Sequence, residues 1–164
     1  MSKNLILFLL LIVVSCSGSR NQEQHTEKAP TDCIDEENQD VVISWGVRIT
    51  EENLMRGYKL LTSGEVYRFT SNDTNEIRIN NIQESLLCLI HRKTTNEFVK
   101  VGALNVPADT TLFVIYDHPA KNLTLRAQWN PKTPAIGSKG FRKIWDLLER
   151  TYPSNRILLH KEDQ

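Results

Sequence analysis

The chain is 164 residues long, carries 20 basic and 20 acidic side chains, and is 40% hydrophobic and 7% aromatic. That is enough for one packed domain and too little for two comfortable ones, and it excludes collagen-like, low-complexity or wholly disordered chains. Zero formal net charge argues against a protein that coats nucleic acid, which carries a large basic excess.

Met1, Ser2, Lys3 and Asn4 precede ten unbroken apolar residues, 5–14. A membrane-spanning helix needs about 20 apolar residues, so this run reads as the hydrophobic region of a secretory signal, for which roughly 7–15 suffice. Directly after it, Val13-Val14-Ser15-Cys16 resembles the lipobox of bacterial lipoproteins: an aliphatic residue three before a cysteine and a small residue just before it. The resemblance implies removal of residues 1–15 and a diacylglyceryl group on the Cys16 sulfur. Each buried CH₂ of an acyl chain contributes about 0.8 kcal/mol, so two or three chains anchor firmly. Ser17 stands where many Gram-negative lipoproteins carry an inner-membrane-retaining Asp. The expected location is therefore the bacterial envelope, on the outer membrane facing the periplasm, with the membrane itself as one partner.

Residues 16–40 are expected to form a lipidated, flexible tether. In 17–40 only Ala29, Cys33 and Ile34 are apolar, and nothing recurs at helical or strand spacing. Such a segment buries too little surface to offset its ordering entropy, and 24 residues of it would reach roughly 27 Å. It holds two basic against seven acidic residues, whereas residues 41–164 hold 17 basic against 13 acidic. A solvated acidic linker is the simpler reading of this asymmetry. The sharper one has the arm shielding a basic face.

A single domain is expected over 41–160, followed by a polar tail at 161–164. Val41, Ile43, Trp45, Val47 and Ile49 alternate with Ser44, Gly46, Arg48 and Thr50, the period of a half-buried strand. Residues 58–61 and 66–69 flank Thr62-Ser63-Gly64-Glu65 as a hairpin, and 71–75 read as a turn cluster. Asn81 and Glu84 resemble the start of a helix, with Ile82, Leu86, Leu89 and Ile90 as its apolar stripe and Arg92 and Lys93 near its end. Residues 112–116 and 123–129 form a second hairpin around a turn at 117–122. The last helix begins near Ser138, presents Phe141, Ile144, Trp145, Leu148 and Tyr152 on one face, and stops at Pro153. The fold class is α+β, with a mainly antiparallel sheet and two helices on one face.

With Cys16 lipidated, Cys33 and Cys88 remain as two thiols that an oxidising envelope permits to bridge. Cys88 lies in the apolar run 86–90 and Cys33 in the tether, which favours two separate thiols. No C-x-x-C occurs, and His25, His91, His118 and His160 are scattered without zinc-ligand spacing, so no metal or cofactor is expected. Asp117-His118 reads as a surface turn rather than an oriented base, and Glu51, Glu52 and Glu76 as solvated acids rather than a catalytic pair.

Trp45 and Trp145 belong to apolar stripes, while Trp129, beside Asn130-Pro131, is expected to be partly exposed. Lys139, Arg142 and Lys143 put cations at a helix start, against the dipole. Together with Trp129 they form the candidate binding surface. The expected function is a non-enzymatic interaction module that docks another envelope protein. The alternatives are a carrier with an apolar cavity lined by Trp45, Phe69 and Trp145, and a periplasmic enzyme with an unrecognised site.

Overall fold

The computed structural model describes residues 33–152; the signal-like segment, Cys16, His25, His160, Pro153 and the polar tail lie outside them. Seven strands form one sheet: β1 (Val42–Ile49), β2 (Leu54–Leu61), β3 (Glu65–Thr70), β4 (Asp73–Asn81), β5 (Leu104–Asn105), β6 (Thr110–His118) and β7 (Leu123–Trp129). Two helices, α1 (Glu84–Val101) and α2 (Ser138–Glu149), complete the fold. The strand order is β4-β3-β2-β1-β6-β7-β5. Every neighbouring pair is antiparallel except β5 with β7.

The α+β class and the period-two strands hold. Val41, Ile43, Trp45 and Val47 are buried beneath the helices, and register carries that face across Leu60 and Tyr58 on one side and Tyr116, Val114 and Leu112 on the other. The helices supply Leu87, Ile90 and Phe98 from α1 and Phe141, Ile144, Trp145 and Leu148 from α2. Phe98 meets Phe141 at 4.8 Å between ring centroids, and Trp145 stands edge-on to Trp129 at 6.1 Å.

The opposite face of the sheet follows a different rule. Gly46 and Gly57 are cross-strand partners, and a Cβ on either would lie about 2 Å from a carbonyl of the other strand. Glycine is needed there because the two backbones approach so closely. Phe113 and Phe69 are the next residues outward in this row, and their rings lie 6.5 Å apart.

Several sequence expectations are corrected. The ordered body starts at least by Cys33 rather than at residue 41. Asp35 and Asn38 form a hydrogen-bonded turn, and the Thr62 hydroxyl donates to the Gln39 carbonyl. Residues 71–75 are not all turn, because β4 starts at Asp73. It is an edge strand exposed along most of its length, and only Ile77 and Ile79 alternate with polar neighbours, too short a run to mark it as a strand. The helix after it has no Asn81 cap: Asn81 ends β4, and the capping position is Gln83, whose side chain makes no capping bond. That helix also runs on to Val101, so its buried stripe is Leu87, Ile90, Thr94 and Phe98 rather than one centred on Leu86 and Leu89. His118 belongs to the end of β6, not to a turn.

Candidate functional site

β4 lies beyond the cover of the helices: its residues 73–78 are exposed on both faces. The helix-side face of β2, β3 and β4 therefore opens into a cleft of about 210 Å³, lined by Arg56, Tyr58, Arg68, Thr70, Ile77 and, from just after α2, Tyr152. Strand register explains the grouping. Tyr58 pairs with Arg68, Arg68 with Ile77, and Arg56 with Thr70, so all five point to one side. The Asn80 side chain donates to the Thr151 carbonyl, fixing the end of α2 against β4 and holding Tyr152 in place as a wall.

The floor is an aromatic ladder. Trp45 and Tyr58 rings are 5.4 Å apart, and Tyr58 and Tyr152 rings 4.7 Å. Trp45 Nε1 donates to Glu149 Oε1 at 3.2 Å. Burial raises the Tyr58 phenol well above its usual range; the Tyr152 hydrogen bond and Glu149 add to this, and Arg68 opposes it. Burial also raises the Glu149 carboxyl, with Asp146 adding and the Trp45 bond opposing. The arrangement offers the exposed Arg68 guanidinium beside aromatic and aliphatic surface, with Arg56 next to it on the same face. It suits an anionic group attached to an apolar one. Asp73 and Asn75 complete the rim.

None of these residues belongs to the surface expected from sequence. Trp129 is fully buried in the core at 0% exposure. Arg142 is occupied: its guanidinium donates to the carbonyls of Asn130, Pro131 and Thr133 at 2.8–3.1 Å, clamping the loop that enters α2. Lys139 and Lys143 are exposed. The candidate surface of Lys139, Arg142, Lys143 and Trp129 therefore reduces to two lysines. Trp45 and Trp145 pack in the core as expected, but Phe69 lies on the other face of the sheet from Trp45, so no single cavity is lined by all three.

Cys33 and Cys88 form a disulfide, with Cα atoms 5.4 Å apart. The expectation of two separate thiols fails because the segment assigned to the tether folds back onto α1. His118 is 3% exposed, and its Nδ1 lies 3.1 Å from Asp40 Oδ1, not against Asp117, which accepts from the Thr124 hydroxyl. Asp40 Oδ2 also accepts from the Ala120 amide at 2.5 Å, and Glu37 pairs with Lys121 at 3.3 Å. The end of the acidic arm thus lies over the β6–β7 turn. His91 lies nearby, 3.5 Å from the Tyr116 hydroxyl, its pKa lowered by burial and by His118, with Asp35 opposing. Glu51 and Glu52 are exposed in the β1–β2 turn, and Glu76 is ion-paired with Lys59. Among the described residues there is no cluster of three His, Cys, Asp or Glu side chains able to hold a metal ion, and no helix is long and apolar enough to cross a membrane.

The cleft was hidden in the sequence because its arginines sit singly on two strands, twelve positions apart, with no local spacing to mark them. The legible signal was a charged residue on the apolar-side phase of each strand: Arg56 precedes Tyr58 and Leu60, and Arg68 follows Val66, at the strand period. No protein-family model matches the chain, and no curated protein matches it.

Proposed function

We propose that the protein is an exported, lipid-anchored docking module that receives an acidic segment of another envelope protein in the cleft between β2–β4 and Tyr152. The observation that carries the docking reading is the convergence of Arg56 and Arg68 with Tyr58, Tyr152 and Ile77 on one face. The exposed Arg68 guanidinium selects a carboxylate, and the aromatic and aliphatic walls accept the apolar side chain beside it. The lipobox-like Val13-Val14-Ser15-Cys16 supports the anchor. The Cys33–Cys88 bond supports export, since structural disulfides persist in oxidising compartments.

The docking test places a photo-crosslinking amino acid at Ile77, which is 48% exposed and lines the cleft, in the full-length chain in its source cells. The expected product is a crosslink to an envelope protein, mapped by mass spectrometry to a segment rich in Asp or Glu. Arg68→Glu should reduce it at least tenfold with the fold retained by circular dichroism, and Arg68→Lys should restore part of it. Crosslinks only to lipid, or to neutral or basic segments, would overturn the reading. The anchor has its own test: Cys16→Ala should abolish incorporation of labelled palmitate, and retained label would sink that half.

A further inference from the structure

The loop that enters α2 holds one large apolar side chain wholly in water: Ile136 is 100% exposed. The loop itself is braced. Arg142 ties the carbonyls of Asn130, Pro131 and Thr133. The Ser138 hydroxyl donates to the Ala135 carbonyl at 2.8 Å, and the Ala135 amide donates back to that hydroxyl oxygen at 3.2 Å. Gly137, at φ 83°, then turns the chain into α2. Ile136 is thus the tip of a fixed loop.

Cations surround this tip. Lys132 lies in the same loop, Lys139 stands in the first turn of α2, and Lys143 follows Lys139 at i, i+4 on one helix face. All three are exposed, and none is ion-paired among the described residues. Gly137 sits against Val101 and Leu104, where a Cβ would lie 3.4 Å and 3.7 Å from their side chains. The end of α1 therefore reaches the same corner, with Lys100 exposed and only loosely paired with Glu97 at 3.9 Å. The first turn of α2 contains no acidic residue, so the positive end of its dipole adds to the lysines. Negative charge resumes along α2 only at Asp146.

We infer that this corner is a membrane-contact surface. Ile136 enters the headgroup region of a bilayer containing anionic phospholipid, and Lys100, Lys132, Lys139 and Lys143 meet the lipid phosphates. A protruding apolar tip among lysines suits lipid better than protein. A protein partner would have to bring a pocket for Ile136 and carboxylates in fixed directions, for which arginine is the matched donor. The arginine of this corner, Arg142, is occupied inside the loop. Lysines are compact charges on flexible stems, able to follow mobile headgroups and to snorkel past an inserted apolar side chain. The surface is also separate from the docking cleft. Ile136 precedes α2 and Tyr152 follows it, and the 12 residues of that helix span roughly 18 Å. A domain resting on the bilayer by this corner holds the β2–β4 cleft away from the lipid.

The test reads membrane contact at the tip. The full-length chain, with the fluorescent residue dansylalanine replacing Ile136, is reconstituted in vesicles of phosphatidylcholine with about one-third phosphatidylglycerol. Brominated acyl chains should quench the probe at least fivefold more in these vesicles than in pure phosphatidylcholine. High salt should remove the difference. Lys132→Glu/Lys139→Glu/Lys143→Glu should remove it too, with circular dichroism unchanged. The same probe at Ile77, in the cleft, should not be quenched in either vesicle. Equal quenching in neutral and anionic vesicles, no quenching at 136, or equal quenching at 77 and 136 would overturn the inference. In source cells a photo-crosslinking residue at 136 should give lipid adducts. Capture of one acidic protein there instead would assign the corner to that protein and overturn the membrane reading. Reconstitution brings the corner to the bilayer whichever segment holds the chain there, so a failed Cys16 anchor or an empty cleft does not mimic failure of this surface.

Discussion

Trp45 Nε1, on the central strand, donates to Oε1 of Glu149, the last residue of α2, across 104 positions of sequence at 3.2 Å. The bond satisfies an indole that is otherwise fully buried and aims a carboxylate at the aromatic floor of the cleft. That carboxyl sits in partial burial with Asp146 near it, and its pKa is raised. The folded state thus holds the Glu149 proton more tightly than the unfolded state does. Stability from this group is fully present below pH about 4.5 and is lost as pH rises through the raised folded value.

Glu149→Gln tests this sign. The amide oxygen still accepts from Trp45, but no charge has to be buried. Urea midpoints should match wild type at pH 4 and exceed it at pH 7. A wild type that gains on the variant as pH rises would show the carboxylate to be net stabilising.

The Cys33–Cys88 bond closes a loop of 55 residues. Chain-entropy arguments assign such a crosslink on the order of 2–4 kcal/mol. The double variant Cys33→Ser/Cys88→Ser should lose that amount in denaturant unfolding. Wild-type protein unfolded without reductant should show neither cysteine reactive to a thiol reagent. Labelling of either residue would contradict the bond.

What could be read from the sequence was whatever buries one face regularly. β1 and β7 alternate because the helices lie on one side of them, and α2 announces itself through Phe141, Ile144, Trp145 and Leu148. β4 escapes notice because it is an edge strand whose first six residues are exposed, and the alternation of Ile77 and Ile79 is only two residues long. α1 was read short because Thr94, Thr95 and Asn96 are poor helix formers. Thr94 nevertheless occupies a buried position, held there by packing. The cleft is a product of register, which pairs Arg68 with Tyr58 and with Ile77. No spacing within a single strand encodes those neighbours.

The shifted stripe of α1 has a measurable consequence. Ile90 is 0% exposed whereas Leu86 is only half-buried. Ile90→Ala should cost about 2–5 kcal/mol, the transfer and cavity loss of a fully packed aliphatic side chain. Leu86→Ala should cost clearly less. Equal losses in chemical denaturation would mean that the helix is rotated from the position described.

Arg142 is the side chain whose role changed most between sequence and structure. From sequence it was one of three cations offered to a partner. In the fold it donates to three carbonyls of the segment 130–133, and its Nε lies 3.4 Å from the Ser138 hydroxyl, which itself donates to the Ala135 carbonyl. One planar, five-donor group thus organises a proline-containing loop that has few backbone partners of its own. Arg142→Ala should therefore act on structure. Bonds from a charged donor contribute about 1.5–3 kcal/mol each at most and are not additive, so a total loss of about 2–3 kcal/mol is expected. The loss should be concentrated locally: amide exchange across 130–138 should accelerate well before the strands are affected. Arg142→Lys should recover little, because an ammonium cannot span three carbonyls from one plane. A loop with wild-type protection in Arg142→Ala would return this residue to the exposed basic surface, beside Lys139 and Lys143.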